Sequence, residues 1–252
     1  MDDLTVAVGD DFVATVEVHR PPDNYFDRAL IAALADAYQA LDAEPRCRAI
    51  VLCSEGKHFC AGANLAGGLG GDNSPATLYR EAIRLFEAAT PVVAAVQGAA
   101  VGGGLGLACS ADFRVACPQA RFVANFARLG FHHGFGLTVT LPAIVGPQHS
   151  LAMLYTGRRI GGEEAARIGL CDRLAPADQV RAQAHALAAE IAGSAPLAVR
   201  SIRATMRGDM AARVRAATDR EGAEQNRLQA TADFREGVRA MAERRPPRFH
   251  RR

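Results

Sequence analysis

Apolar and polar positions alternate in two early runs, Val6-Ala7-Val8 and Val13-Ala14-Thr15-Val16-Glu17-Val18, on either side of Gly9-Asp10-Asp11. Period-two runs of β-branched residues around a turn-forming cluster predict a hairpin. Arg20-Pro21-Pro22-Asp23-Asn24 closes the second strand. Over residues 27–42 the spacing changes, and Leu30, Leu34, Ala37 and Leu41 share one face of a predicted helix. Residues 49–53 and 92–96 are apolar throughout, as strands buried on both faces are. Between them, 77–88 predicts an amphipathic helix. A small-residue helix follows over 103–110, then short strands at 113–116 and 122–124.

Beyond Pro142 the pattern is almost wholly helical, with segments near 147–155, 163–168, 177–192, 196–206, 211–227 and 231–243. Strands alternating with helices and then helices alone predict an α/β core with a helical C-terminal extension. No linker divides the 252 residues and no internal repeat is visible, so one structural unit is expected.

Composition changes this picture little. Hydrophobic residues are 49% and charged residues 22%, an ordinary globular balance. A net charge of +2 gives no global reason to expect nucleic acid or an anionic membrane as partner. The N-terminus, Met1-Asp2-Asp3-Leu4, lacks a basic and apolar leader, so a cytoplasmic protein is expected. The most apolar stretch, 91–108, is broken by Gln97 and a glycine cluster and is too interrupted to span a membrane. The six cysteines form no C-x-x-C pair, and no metal site is expected; reduced, buried thiols are.

Two loops carry candidate chemistry, each after a buried strand. One is His58-Phe59-Cys60-Ala61-Gly62-Ala63-Asn64-Leu65, the other runs from Gln97 through Gly102-Gly103-Gly104 to Gly106. Glycines opening a helix let another group approach the backbone, and they leave unpaired N–H groups at a positive helix end. That end suits an anion or a developing oxyanion. Leu107 and Cys109 stand where a dinucleotide fingerprint needs glycine, and no G-K-[ST] is present for a P-loop. Tight helix–sheet packing explains the glycines equally well at this stage.

The first loop resembles the F-C-A-G-A-D-[LI] motif of the crotonase (enoyl-CoA hydratase/isomerase) superfamily. The segment from Pro91 to Gly104 is similar to that family's P-x-[IV]-A-A-[IV]-x-G-x-[AC]-x-G-G-G block, and Ser110-Ala111-Asp112-Phe113-Arg114-Val115-Ala116 to its C-D-[FIL]-R-[IV]-A. Further matches lie at 155–160, 164–170, 233–238 and 243–246, so the resemblance runs along nearly the whole chain. It implies a ββα-spiral core over 1–195 and a C-terminal helical trimerisation region over 196–252, within one structural unit. It also implies acyl-CoA substrates with no separate cofactor, and a homotrimer or dimer of trimers. By position it gives the oxyanion-hole amides to Ala63 and Gly103, and substrate contacts to Gly62, Asn64, Gly102 and Phe126. Arg244 falls where the family places a basic residue near the CoA phosphates; a solvated arginine tail and a weak nucleic-acid contact are the alternatives.

The resemblance also marks two departures. A hydratase of this family uses two glutamates as base and acid; their positions hold Gly106 and Phe126, which move no proton. In Gly130-Phe131-His132-His133-Gly134-Phe135-Gly136, His133 occupies a position from which some relatives reach the substrate. Imidazole suits proton transfer near neutral pH, so His133 is the candidate proton carrier and His132 a weaker one. A nucleophile made from His58 and Cys60 is a lesser possibility, Asn125 a hydrogen-bond donor, and Asp112 a structural carboxylate. Three functions stay open: an acyl-CoA lyase, hydrolase or isomerase with altered acid–base groups, a conventional enoyl-CoA hydratase using unexpected groups, and a non-catalytic acyl-CoA-binding protein.

Overall fold

The computed structural model of the chain describes residues 3–64 and 70–252. β1 (Leu4–Val8) and β2 (Val13–Val18) pair antiparallel, as the alternation predicts. β2 then runs parallel to β3 (Ala49–Ser54), β3 to β4 (Val92–Val96), β4 to β6 (Phe113–Ala116) and β6 to β9 (Arg173–Leu174). A second sheet holds β5 (Ala99–Val101), β7 (Arg121–Val123) and β8 (Arg159–Gly161) in that order. After β4 the chain lays β5 in the small sheet and then forms α3 (Gly103–Ser110). After β6 it lays β7 there and reaches α4 (Leu137–Thr156). This is the ββα spiral. β3 and β4 are buried along their whole length, which is why their sequences carry no polar alternation.

α1 (Arg28–Ala43) begins where the Asp27 carboxylate accepts the Leu30 N–H, and it buries Leu30, Ile31, Leu34, Tyr38 and Leu41. α2 (Pro75–Glu87) starts at the Ser74 cap with proline in its first turn, where a missing N–H costs nothing. The chain continues through α5 (Gly162–Arg167), α6 (Val180–Ala192), α7 (Pro196–Arg207), α8 (Met210–Gln229) and α9 (Ala232–Ala242). α8 returns to pack on α2 and α4, burying Val214, Thr218, Glu221, Gly222 and Gln225 at helical spacing. Its Val214 joins Ile83, Phe86 and Val139 in a second small core.

One helix starts earlier than the spacing predicts. α4 extends from Leu137, ten residues before the expected start, and bends at Gly146, just ahead of Pro147. The run Leu137-Thr138-Val139-Thr140-Leu141 alternates like a strand, and Pro142 argues against a helix. The N–H groups of Gly136 and Thr138 at the start of α4 are satisfied by a side chain from α8, which local sequence does not show. The composition of the glycine-rich stretch 67–75 predicts a mobile segment and that of 66–75 an acyl-pocket loop; it lies partly outside the described residues, and its later part makes a 3-10 turn at Gly71–Asn73, with Pro75 bordering the cavity below.

Candidate active site

The two glycine-containing loops meet backbone to backbone. Cys60 donates its N–H to Ala99 at 3.0 Å and accepts from Val101 at 3.0 Å. A Cβ on Gly104 would strike the Cys60 carbonyl, and one on Gly103 would strike the Phe26 ring, so only glycine fits at either position. Gly62 and Gly102 both have positive φ, 100° and 56°. Phe26 donates to the Gly62 carbonyl at 3.0 Å and accepts from Asn64 at 3.3 Å. That parallel bridge uses the neighbours of Ala63 and leaves its own N–H turned the other way. Gly103 is the first residue of α3, where no carbonyl one turn back is available. Neither N–H finds an acceptor among the described residues.

Both residues line a cavity of about 520 Å3, together with Gly62, Asn64, Gly102 and Phe126. Its wall is largely apolar, with Phe26, Leu78, Val101, Leu129, Phe131 and Phe135. Polar side chains in it come from Tyr25, Asn64, Tyr79, Asn125 and Gln225, and the wall has no carboxylate, imidazole, amine or thiol among the described residues. Burial raises the phenol pKa of both Tyr25 and Tyr79. Phe135 also fills the space beside Gly106: a Cβ there would lie 2.5 Å from the Phe135 Cβ. A glutamate at 106 has no room.

His133 and His132 do not line the cavity themselves, although their neighbours Phe131 and Gly134 do. The His133 ring stands edge-on to Phe126, with centroids 6.4 Å apart, and stacks on His132 at 4.2 Å. Burial, and then the adjacent His132, push the His133 imidazole down to about 4, so it is neutral at pH 7. Its Nε2 lies 2.8 Å from the Thr138 hydroxyl. The Thr138 hydroxyl in turn donates to Glu221 at 2.6 Å. His132 Nδ1–H donates to the His133 carbonyl, and its own carbonyl accepts from Gln225, which accepts from the Tyr79 hydroxyl at 2.7 Å. Local spacing does not point to Tyr79, Thr138, Glu221 or Gln225. The one available signal is Glu221 itself, a carboxylate within the apolar stripe of a helix.

The remaining candidates lie elsewhere. Burial pushes the Cys60 thiol up to about 12, which disfavours the thiolate at neutral pH; the buried Nδ1 of His58 has no partner among the described residues. All six cysteines are buried and unpaired. Asp112 accepts from Val92 N–H, Arg203 and Arg207, tying α7 to the core. Burial alone would raise its carboxyl, but the two guanidiniums hold it below the usual range. Arg244 is exposed, two residues past Ala242 in the cavity wall. Among the described residues, no helix is long and apolar enough to cross a membrane.

Residues 9–252 match the family described as enoyl-CoA hydratase/isomerase. The chain belongs to this family. A crotonyl-CoA hydratase of Syntrophomonas wolfei subsp. wolfei is 32% identical over 244 residues, covering 94% of each chain. The crystal structure of an enoyl-CoA hydratase/isomerase from Pseudoalteromonas atlantica T6c superposes with a TM-score of 0.90 at 31% identity, covering 99% of this chain and 100% of that one. A carnitinyl-CoA hydratase from Mycobacterium avium gives 0.88 at 28%, covering 99% of each. Within the enoyl-CoA hydratase/isomerase family, this member combines two unspent N–H groups at the cavity with Gly106 and Phe126 at the positions where the resemblance puts the acid–base glutamates.

Proposed function

We propose that the protein is an acyl-CoA enzyme that stabilises a thioester enolate between the N–H groups of Ala63 and Gly103, and that its proton transfer uses groups other than the two glutamates. The observation that carries this reading is the pair of main-chain donors with no internal acceptor at the edge of an apolar cavity. Loss of a proton from the α carbon sends the C–H electron pair onto the thioester oxygen. Two preset donors, one at a helix N-terminus, are worth several kcal/mol to that charge. His133 is the proton carrier in this reading, neutral at pH 7 and beside Phe126 and Gly134 of the wall. Gly62 and Gly102 let the carbonyl approach, Asn64, Asn125 and Phe126 line its surroundings, and Arg244 meets the CoA phosphates. Coenzyme A arrives as part of the substrate.

A homotrimer or a dimer of trimers is part of the same proposal. α7 buries no residue, and Ile202 and Met206, one turn apart on its surface, are 63% and 80% exposed, a face that a second copy would cover.

The test is incubation with acyl- and enoyl-CoA thioesters in deuterated water, followed by mass. α-Deuterium incorporation that disappears in His133→Ala is the expected result. Hydration of crotonyl-CoA at ordinary enzyme rates would replace this reading with a conventional hydratase. Tight binding with neither exchange nor turnover would make the protein an acyl-CoA binder.

A further inference from the structure

Behind His133, outside the cavity lining, lies a carboxylate that has no part in the proton transfer proposed for His133. Glu221 in α8 is fully buried, and its two oxygens take three donors: the Gly136 N–H at 2.9 Å, the Thr138 N–H at 3.0 Å and the Thr138 hydroxyl at 2.6 Å. The two main-chain bonds have a structural purpose. α4 is capped by Gly136, which has no side chain to accept an N–H from the first turn, and Glu221 on another helix accepts from Thr138 and from Gly136 itself. The hydroxyl bond adds nothing to that cap.

It does constrain the imidazole. A hydroxyl has one proton, and here it goes to Glu221, so toward His133 Nε2 the Thr138 oxygen acts as acceptor. A neutral ring that donates from Nε2 carries its lone pair on Nδ1. The Glu221 oxygen is 3.9 Å from Nε2, too far for a direct hydrogen bond, and the hydroxyl mediates between them. Burial raises the Glu221 carboxyl, while the Thr138 and Gly136 donors oppose that rise; three donors on two oxygens are the pattern of a carboxylate. Were Glu221 protonated toward Thr138, the chain of donors would reverse and the ring would carry its proton on Nδ1.

We infer that Glu221 is a positioning residue: through the Thr138 hydroxyl it holds His133 as the Nε2–H tautomer and reserves Nδ1 as the proton acceptor. The inference rests on the reading of His133 as proton carrier. Its test uses the full-length protein labelled with 15N-histidine, in which long-range proton–nitrogen correlation reports the tautomer at pH 7 and His133→Gln assigns the signal. Thr138→Val removes the hydroxyl and keeps both main-chain bonds to Glu221, and Thr138→Ser retains the hydroxyl. The expected result is Nε2–H in the wild type and in Thr138→Ser, and a mixture of tautomers in Thr138→Val. α-Deuterium exchange into butyryl-CoA should fall about ten- to a hundredfold in Thr138→Val, with KM unchanged and with recovery in Thr138→Ser. An Nδ1–H tautomer in the wild type, or a wild-type tautomer in Thr138→Val, overturns the inference. Exchange abolished by His133→Gln but untouched by Thr138→Val overturns it alone; exchange indifferent to His133→Gln removes the proton-carrier reading and the positioning role together.

Discussion

The corner around Ala63 and Gly103 lines the cavity, whereas His133, Thr138 and Glu221 form an outer wall one layer behind the lining, and the two are held in different ways. At the corner the polar groups are main-chain N–H, fixed by a β-bridge on one side and a helix start on the other. At the wall they are side chains, fixed by hydrogen bonds that cross from α8 to the start of α4. At Gly103 the corner has no room for a side chain because Phe26 presses on it, and it has nothing to titrate. The wall holds two histidines and a buried glutamate, so its state depends on protonation. A preset dipole and a tunable acid–base group are thus kept apart, and each can be disabled separately.

Gly103→Val attacks the corner. Its side chain would collide with Phe26, and exchange at the α carbon is expected to drop about 10²–10³-fold, measured by mass in deuterated water. Unchanged exchange would break the comparison outright. Glu221→Leu attacks the wall. It leaves the Gly136 and Thr138 N–H groups without acceptors, and urea denaturation should register a loss of about 2–4 kcal/mol. Gly106→Glu asks whether the family's base can be restored. With Phe135 in its place, the variant should lose about 1–3 kcal/mol and gain no hydration of crotonyl-CoA.

Acidification gives a smaller effect with a defined sign. The folded His133 pKa of about 4 lies below the ordinary 6.5, so the unfolded chain binds the proton first. The stability due to neutral His133 is complete above pH 6.5 and is lost as pH falls toward 4. Glu221, raised by burial, contributes in the opposite sense; the difference between wild type and His133→Gln isolates the histidine. Equal pH dependence of the two proteins between 6.5 and 4 would contradict the neutral ring. The smallest change is expected from Arg244→Ala. It should weaken acyl-CoA binding a few-fold, more at low salt than at high, in calorimetric titration.

The hairpin, the buried strands β3 and β4, α1 and the helical second half were legible because each is written in spacing over five to fifteen residues. The glycine corner was legible too, since a loop that must bring its backbone against another chain segment advertises this with glycine. Legibility ended where a residue's meaning depends on a remote partner. The first turn of α4 alternates like a strand, and the carboxylate that accepts its Thr138 N–H lies 83 residues further on, at Glu221. Tyr79 and Gln225 carried no local sign, as they are 146 residues apart and meet only when α8 returns to α2.

By itself, then, the sequence determined the α/β architecture, the two loops whose glycines allow their close approach, and the absence of a glutamate at positions 106 and 126. Only the tertiary structure decided that Phe135 fills the space beside Gly106, that His133 stands just outside the cavity wall, and that a threonine connects its ring to a buried carboxylate. The reason is physical. Backbone preferences act between residues close in the chain, whereas the partner of a buried polar side chain is chosen by how distant helices pack.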